Sequence, residues 1–153
     1  MQIGSLKLEN QIILAPLAGI TNLPFRLIAK EAGCALVCSE MVSANGLVHK
    51  SAKTEQLMQS TPEEKPLSIQ IFGSDPAVTA EAAAIVEAAG ADVLDINFGC
   101  AVKKIVKTGS GVTLMREPQK AERLLKAVKK NIKIPLTIKV RSGWDKSGDQ
   151  AVR

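Results

Sequence analysis

What most constrains this sequence is an alternation of short apolar, β-branched runs with stretches of helical spacing. The runs are Ile12–Ala15, Leu36–Ser39, Leu67–Phe72, Val93–Asn97 and Leu136–Val140. They are nearly continuous in apolar character, as parallel strands covered on both faces require. The intervening stretches carry helix punctuation. Thr21-Asn22 precedes a helix with Phe25, Ile28 and Ala29 on one side, closed by Gly33. Asp75-Pro76 supplies an N-cap and a first-turn proline for the face Val78, Ala82, Ile85, Val86 and Ala89, and Gly90 follows it. Pro118 opens a third helix, in which Ala121, Leu124, Leu125 and Val128 recur at helical spacing. Residues 43–60 read as a short helix and a polar surface connection.

This order implies successive right-handed βαβ units in an α/β fold with a parallel sheet. A doubly wound sheet and a TIM-type (β/α)8 barrel both fit it. Each repeat takes roughly 30 residues, so eight need about 250. The 153 residues hold about five strands. Residues 1–153 are therefore expected to be a partial barrel, truncated to about its first five strands. Uncovered edges in such a piece would invite self-association.

The net charge of +5 conceals a division along the chain. Residues 1–100 carry 6 Lys and Arg against 11 Asp and Glu, and residues 101–153 carry 14 against 4. The basic third is a suitable footprint for a polyanion, or simply a set of lysines (Lys126, Lys129, Lys130, Lys133) solvating a helix. With no Tyr, one Trp and three Phe, a broad base-stacking platform is excluded. Cys34, Cys38 and Cys100 form neither a disulfide framework nor a zinc-type spacing, and His49 is the only histidine, so no metal site is expected. No basic leader precedes an apolar segment, and no apolar run approaches the roughly 20 residues that span a bilayer. A cytoplasmic protein without membrane attachment is the expectation.

Polar residues gather where the apolar runs end. Ala15-Pro16-Leu17 closes the first, Glu40-Met41 the second, Gln70 to Gly73 the third, Asn97 to Cys100 the fourth and Lys139-Val140-Arg141 the fifth. In a parallel barrel these ends converge on one mouth, where active sites lie. Each residue also has a structural reading. Gln70 and Asn97 can satisfy loop backbone, Lys139 can pair with Asp95 or Glu40, and Cys100 can be a buried thiol. Gly109-Ser110-Gly111 lacks the lysine spacing of a phosphate loop and reads as a close-packed turn.

Several of these stretches resemble one family in order. Residues 15–26, Ala-Pro-Leu-Ala-Gly-Ile-Thr-Asn-Leu-Pro-Phe-Arg, resemble the opening motif of the tRNA-dihydrouridine synthases. Residues 39–44 and 70–76 are similar to later stretches of that family. Asp95-Ile96-Asn97-Phe98-Gly99-Cys100-Ala101-Val102-Lys103-Lys104 is similar to its cysteine signature, and Lys139 to Trp144 to the next motif. The resemblance covers essentially the whole chain.

It implies a flavin-binding (β/α)8 barrel, followed in the family by a helical tRNA-binding domain that this chain would lack. It implies reduction of the uracil C5=C6 bond in tRNA, with FMN as cofactor and NADPH as reductant. Cys100 would be the general acid at C5, and Asn97 would orient the uracil. A thiol with a reference pKa of about 8.5 is mostly protonated at neutral pH, which suits an acid. Pro16, Leu17 and Gln70 would line the flavin ring, with Lys139 at its N1/O2 edge. Arg141 would face flavin or substrate phosphate. Lys103, Lys104 and Lys107 would either grip RNA backbone or form a solvated loop.

Ala101 stands where the family has proline, which lifts a restraint on the Cys100 loop. Two other functions share many of these features: a non-catalytic half-barrel that self-associates, and an FMN barrel oxidoreductase acting on a small molecule.

Overall fold

The computed structural model describes residues 1–143. Its first elements were not expected from the sequence. Strands β1 (Gln2–Ile3) and β2 (Leu6–Lys7) form an antiparallel hairpin around Gly4 at φ +55°. Ile3, Leu6 and Leu8 pack on Ala35, Leu36 and Val93, so the hairpin closes the end of the molecule where the parallel strands begin. Its signal was a glycine-serine pair between apolar residues, too short to register as a strand pattern.

Helix α1 (Leu23–Glu31) starts at Asn22, whose side chain accepts a hydrogen bond from the Phe25 N–H. Strand β3 (Val37–Ser43) follows, then the short helices α2 (Ala44–Val48) and α3 (Ala52–Gln56). Strand β4 (Leu67–Phe72), helix α4 (Pro76–Ala88) and strand β5 (Val93–Asn97) form the next unit. A single-turn helix α5 (Lys103–Val106), a 3-10 segment at Gly111–Arg116, helix α6 (Pro118–Asn131) and strand β6 (Leu136–Lys139) complete it. The Lys103–Val106 turn is a helix where a charged loop was one expectation.

The four longer strands form one parallel sheet in the order β3-β4-β5-β6. That order runs without the reversal a doubly wound sheet needs. One face is apolar: Val37, Val42, Ile69, Ile71, Leu94 and Ile96 are buried with the alanines and Val86 of α4 and with Leu124 and Val128 of α6. The period of two along a strand then sends Ser68, Gln70, Asp95, Asn97, Thr137 and Lys139 to the opposite face.

Ile12–Ala15, expected as a first strand, is reduced to one parallel bridge between Ile13 and Leu36. Leu14 N–H donates to the Leu36 carbonyl and Ala35 N–H to the Ile12 carbonyl, both at 2.9 Å. Beyond that point Pro16 has no N–H to extend a ladder. Strand β3 runs past its expected end at Ser39 through a bulge, because Cys38 pairs with Ser68 but Met41 pairs with Gln70.

Helix α1 also departs from its expected face. Phe25 and Ile28 are exposed, and Arg26 is the residue it buries. The reason is a buried ion pair. Arg26 Nε and Nη2 meet the two Glu64 carboxylate oxygens at 2.5 and 3.0 Å, while Nη1 donates to the Thr21 carbonyl and Nη2 to that of Gln59. A guanidinium supplied with four bonds is tolerated in the interior, whereas one deprived of its carboxylate is not. Arg26→Met should cost about 3–5 kcal/mol in denaturant unfolding, and the double change Arg26→Met with Glu64→Leu should recover most of that loss.

Candidate active site

The polar face of the sheet carries a continuous line of hydrogen bonds. Thr137 Oγ1 donates to Asp95 Oδ1 at 2.6 Å, and Gln70 Nε2 donates to Asp95 Oδ2 at 2.6 Å. Asn97 Nδ2 donates to Gln70 Oε1 at 2.9 Å, and Asn97 Oδ1 accepts from the backbone N–H groups of Gly99 at 3.1 Å and Cys100 at 2.8 Å. The β3 bulge contributes Ser39, whose hydroxyl accepts from Gln70 N–H at 3.1 Å. Parallel register creates the line: Gln70 lies beside Asp95, Asp95 beside Thr137 and Asn97 beside Lys139. Burial raises the pKa of Asp95, and the bonds from Gln70 and Thr137 and the charge of Lys139 oppose that rise.

The loop bearing Cys100 is held at further points. Phe98 N–H donates to the Lys139 carbonyl at 2.9 Å, and Arg141 Nε donates to the Gly99 carbonyl at 2.6 Å. Val112 N–H donates to the Cys100 carbonyl at 3.0 Å. At Gly111, with φ +63°, a Cβ would lie 2.5 Å from that same carbonyl oxygen, so the Gly109-Ser110-Gly111 turn is closely packed, as its sequence suggested. The restraint absent at Ala101 is thus supplied by hydrogen bonds from neighbouring elements. Cys100 itself is half-buried.

On the polar face of the sheet is a cleft of about 280 Å³ whose lining runs from Leu36 and Val93, where the strands begin, past Pro16, Asp95 and Thr137 to Lys139, whose carbonyl meets the Cys100 loop through Phe98 N–H. Pro16 and Lys139 are therefore brought together. Leu17 lies on the exposed part of its loop. That loop is fixed by Thr21, whose hydroxyl accepts from Leu17 N–H at 3.1 Å, and by Glu40, whose carboxylate accepts from Gly19 N–H. Gln70 is buried with both ends of its amide engaged. Arg141 is exposed and gives its Nε to the Gly99 carbonyl, and Lys103 and Lys104 are exposed on α5. Asp95 and Glu40 are otherwise engaged, so neither forms an ion pair with Lys139 among the described residues. Trp144, the end of the last motif, lies outside the described residues.

Sequence reasoning missed Thr137 and Ser39 as members of the site. Thr137 was detectable by strand parity with Lys139, but Ser39 depends on a bulge with no local signature. Among the described residues no cluster of His, Cys, Asp and Glu could hold a metal, and no helix is long and apolar enough to cross a membrane.

The three cysteines differ in environment, which gives a direct check on this geometry. Burial pushes the Cys38 thiol up to about 11, against a weaker lowering by Ser68. A thiol raised that far has at least about a hundredfold less thiolate at pH 8 than an ordinary one. Timed alkylation with mass mapping should therefore find Cys38 the slowest of the three to be modified.

The family model described as Dihydrouridine synthase (Dus) matches residues 13–153. The tRNA-dihydrouridine synthase B of Vibrio cholerae is 43% identical over 145 residues, which are 95% of this chain and 45% of that protein. The probable tRNA-dihydrouridine synthase 1 of Synechocystis is 44% identical over 146 residues, covering 95% and 41%. The tRNA-dihydrouridine synthase B of Pseudomonas aeruginosa is 38% identical over 152 residues, covering 99% and 46%. The chain spans less than half the length of these relatives.

Proposed function

The chain belongs to the dihydrouridine synthase family, and from that premise we propose that it supplies the base-reducing site of a tRNA-dihydrouridine synthase. Its sheet is read as a sector of a (β/α)8 barrel. Strand order without reversal and helices packed on one face support that reading. The catalytic domain would hold FMN, take electrons from NADPH and act on uridine in tRNA, and a cytoplasmic location accords with such a substrate. The observation that carries the proposal is a half-buried thiol on a loop held by hydrogen bonds from several segments, adjoining the strand whose Lys139 lines the cleft.

The cleft suits the cofactor chemically. Ile13, Ala15 and Pro16 offer apolar walls for a planar ring, and Lys139 offers a cation to a ring that gains negative charge on reduction. Pro16, Leu17, Gln70 and Lys139 are the residues assigned to hold it. Bound FMN would supply the hydride that reduces uracil at C6. Cys100 Sγ delivers the proton to C5, which completes the saturated bond. Asn97 orients the base through the part of its amide that meets only Met41 Sδ, at 4.0 Å, a weak contact readily exchanged for a carbonyl.

RNA backbone would be met by Lys103 and Lys104, exposed on the turn that follows Cys100. Arg141 is assigned to the substrate side through its hold on the Gly99 carbonyl. A duplex base must leave its stack to reach such a cleft, and a basic rim would hold the strand while it does so.

The test uses an enzyme of the relatives' full length carrying these residues. Cys100→Ala should retain reduction of the flavin by NADPH and lose dihydrouridine formation by about a hundredfold or more, measured by mass spectrometry of tRNA. Unchanged uridine reduction would remove Cys100 from the role of acid. Affinity for tRNA should also fall steeply with salt. A flat salt response would favour an FMN barrel acting on a small molecule. The exposed residues Ile12, Phe25, Ile28 and Ile138 support a second reading, in which another copy covers the sheet's flanks. Sedimentation of the 153-residue chain as a compact monomer would end that reading.

A further inference from the structure

We infer that Asp95 is a positioning residue for the Cys100 loop, acting through Gln70 and Asn97. Its place in the catalytic cycle rests on the function proposed above, but the geometry stands by itself. Asp95 and Asn97 are two residues apart on one strand, with side chains on the same face, and they are not bonded to each other. Gln70 on the neighbouring strand bridges them, because register sets it beside Asp95 and its side chain reaches toward the strand end.

The two ends of this line allow one arrangement. The backbone N–H groups of Gly99 and Cys100 are donors, so Asn97 must turn its oxygen to them. Its nitrogen then faces Gln70, which must present oxygen there and nitrogen to Asp95. Both Asp95 oxygens accept, one from Gln70 and one from Thr137, so the carboxyl group enforces the same orientation from the far end. Thr137 Oγ1 occupies the other carboxylate oxygen at 2.6 Å, and the Ser39 hydroxyl fixes the backbone of Gln70.

Reversing either amide would set donor against donor at the loop or acceptor against acceptor at Asp95. Gln70, Asp95 and Asn97 are 1%, 7% and 9% exposed, so water offers little relief for such a mismatch. Asp95 thus selects the amide orientation that holds Gly99 and Cys100 in place.

Asp95→Asn tests this with almost no change of shape. Asparagine can offer Gln70 either oxygen or nitrogen, so it ceases to enforce one orientation. Amide hydrogen exchange by NMR should show Gly99 and Cys100 opening about tenfold faster in this variant. Amides within Leu67–Phe72 and Val93–Asn97 should keep their protection. Gln70→Leu, which removes the bridge, should release the same two amides.

Unchanged exchange at Gly99 and Cys100 in both variants would overturn the inference, leaving Asn97 as the whole restraint. Uniformly faster exchange across both strands, or an Asp95→Asn protein that does not fold, would also overturn it by making Asp95 a general stability residue. The readout needs neither cofactor nor RNA. Selective release of the loop together with intact uridine reduction in Cys100→Ala would retain the inference and reject the acid assignment.

Discussion

The burial of one face of a parallel sheet is the constraint from which the other features follow. Val37, Ile69, Ile71, Leu94 and Ile96 are almost wholly removed from water beneath α4 and α6. Each such side chain contributes about 1.5–3 kcal/mol on burial, so a slip of one residue, which would expose the set, is strongly opposed. Fixing that face also fixes the other. Gln70, Asp95, Asn97, Thr137 and Lys139 fall on the other parity, opposite the helices, where Val93 at the start of β5 packs on the N-terminal hairpin.

On the second face Gln70, Asp95 and Asn97 are polar but scarcely hydrated and satisfy one another, while Lys139 at its margin is exposed. Most side-chain hydrogen bonds in proteins go to backbone or water, so three consecutive side-chain pairs, two of them buried, form a specialised arrangement. It ends in the backbone of the Cys100 loop. Arg141, just beyond the sixth strand, and Val112 of the 3-10 segment hold the same loop. The result is a thiol placed by its own strand end at Asn97 and by segments distant in sequence. That is the kind of support a group needs when it must meet a reacting carbon in one geometry.

On the opposite side of the cleft, the loop from Pro16 to Thr21 depends on a charge pair deep in the molecule. Glu64 holds Arg26, Arg26 holds the Thr21 carbonyl, and the Thr21 hydroxyl receives the Leu17 N–H. Placing the guanidinium inside turned Phe25 and Ile28 outward. An apolar tally of this helix favours the reverse, because periodicity cannot register a buried charge whose partner lies 38 residues away. Proton delivery and cofactor contact, as proposed, would thus draw on loops fixed by separate networks that meet at the cleft.

By itself, the sequence determined the α/β class, four of the strands, the caps at Asn22 and Asp75, and the gathering of Gln70, Asn97, Cys100 and Lys139 at strand ends. Apolar periodicity and capping chemistry are local, so they can be read without a partner. The ordered motifs carried the family, and the comparisons agree. Tertiary structure alone decided that Ile12–Ala15 makes only a bridge, that β3 bulges to bring Ser39 to Gln70, and that Arg26 rather than Phe25 goes inside. It also decided which way the amides of Gln70 and Asn97 face. These outcomes depend on strand register and on matching donors with acceptors across distant segments, where the energy belongs to the pair and neither residue specifies it alone.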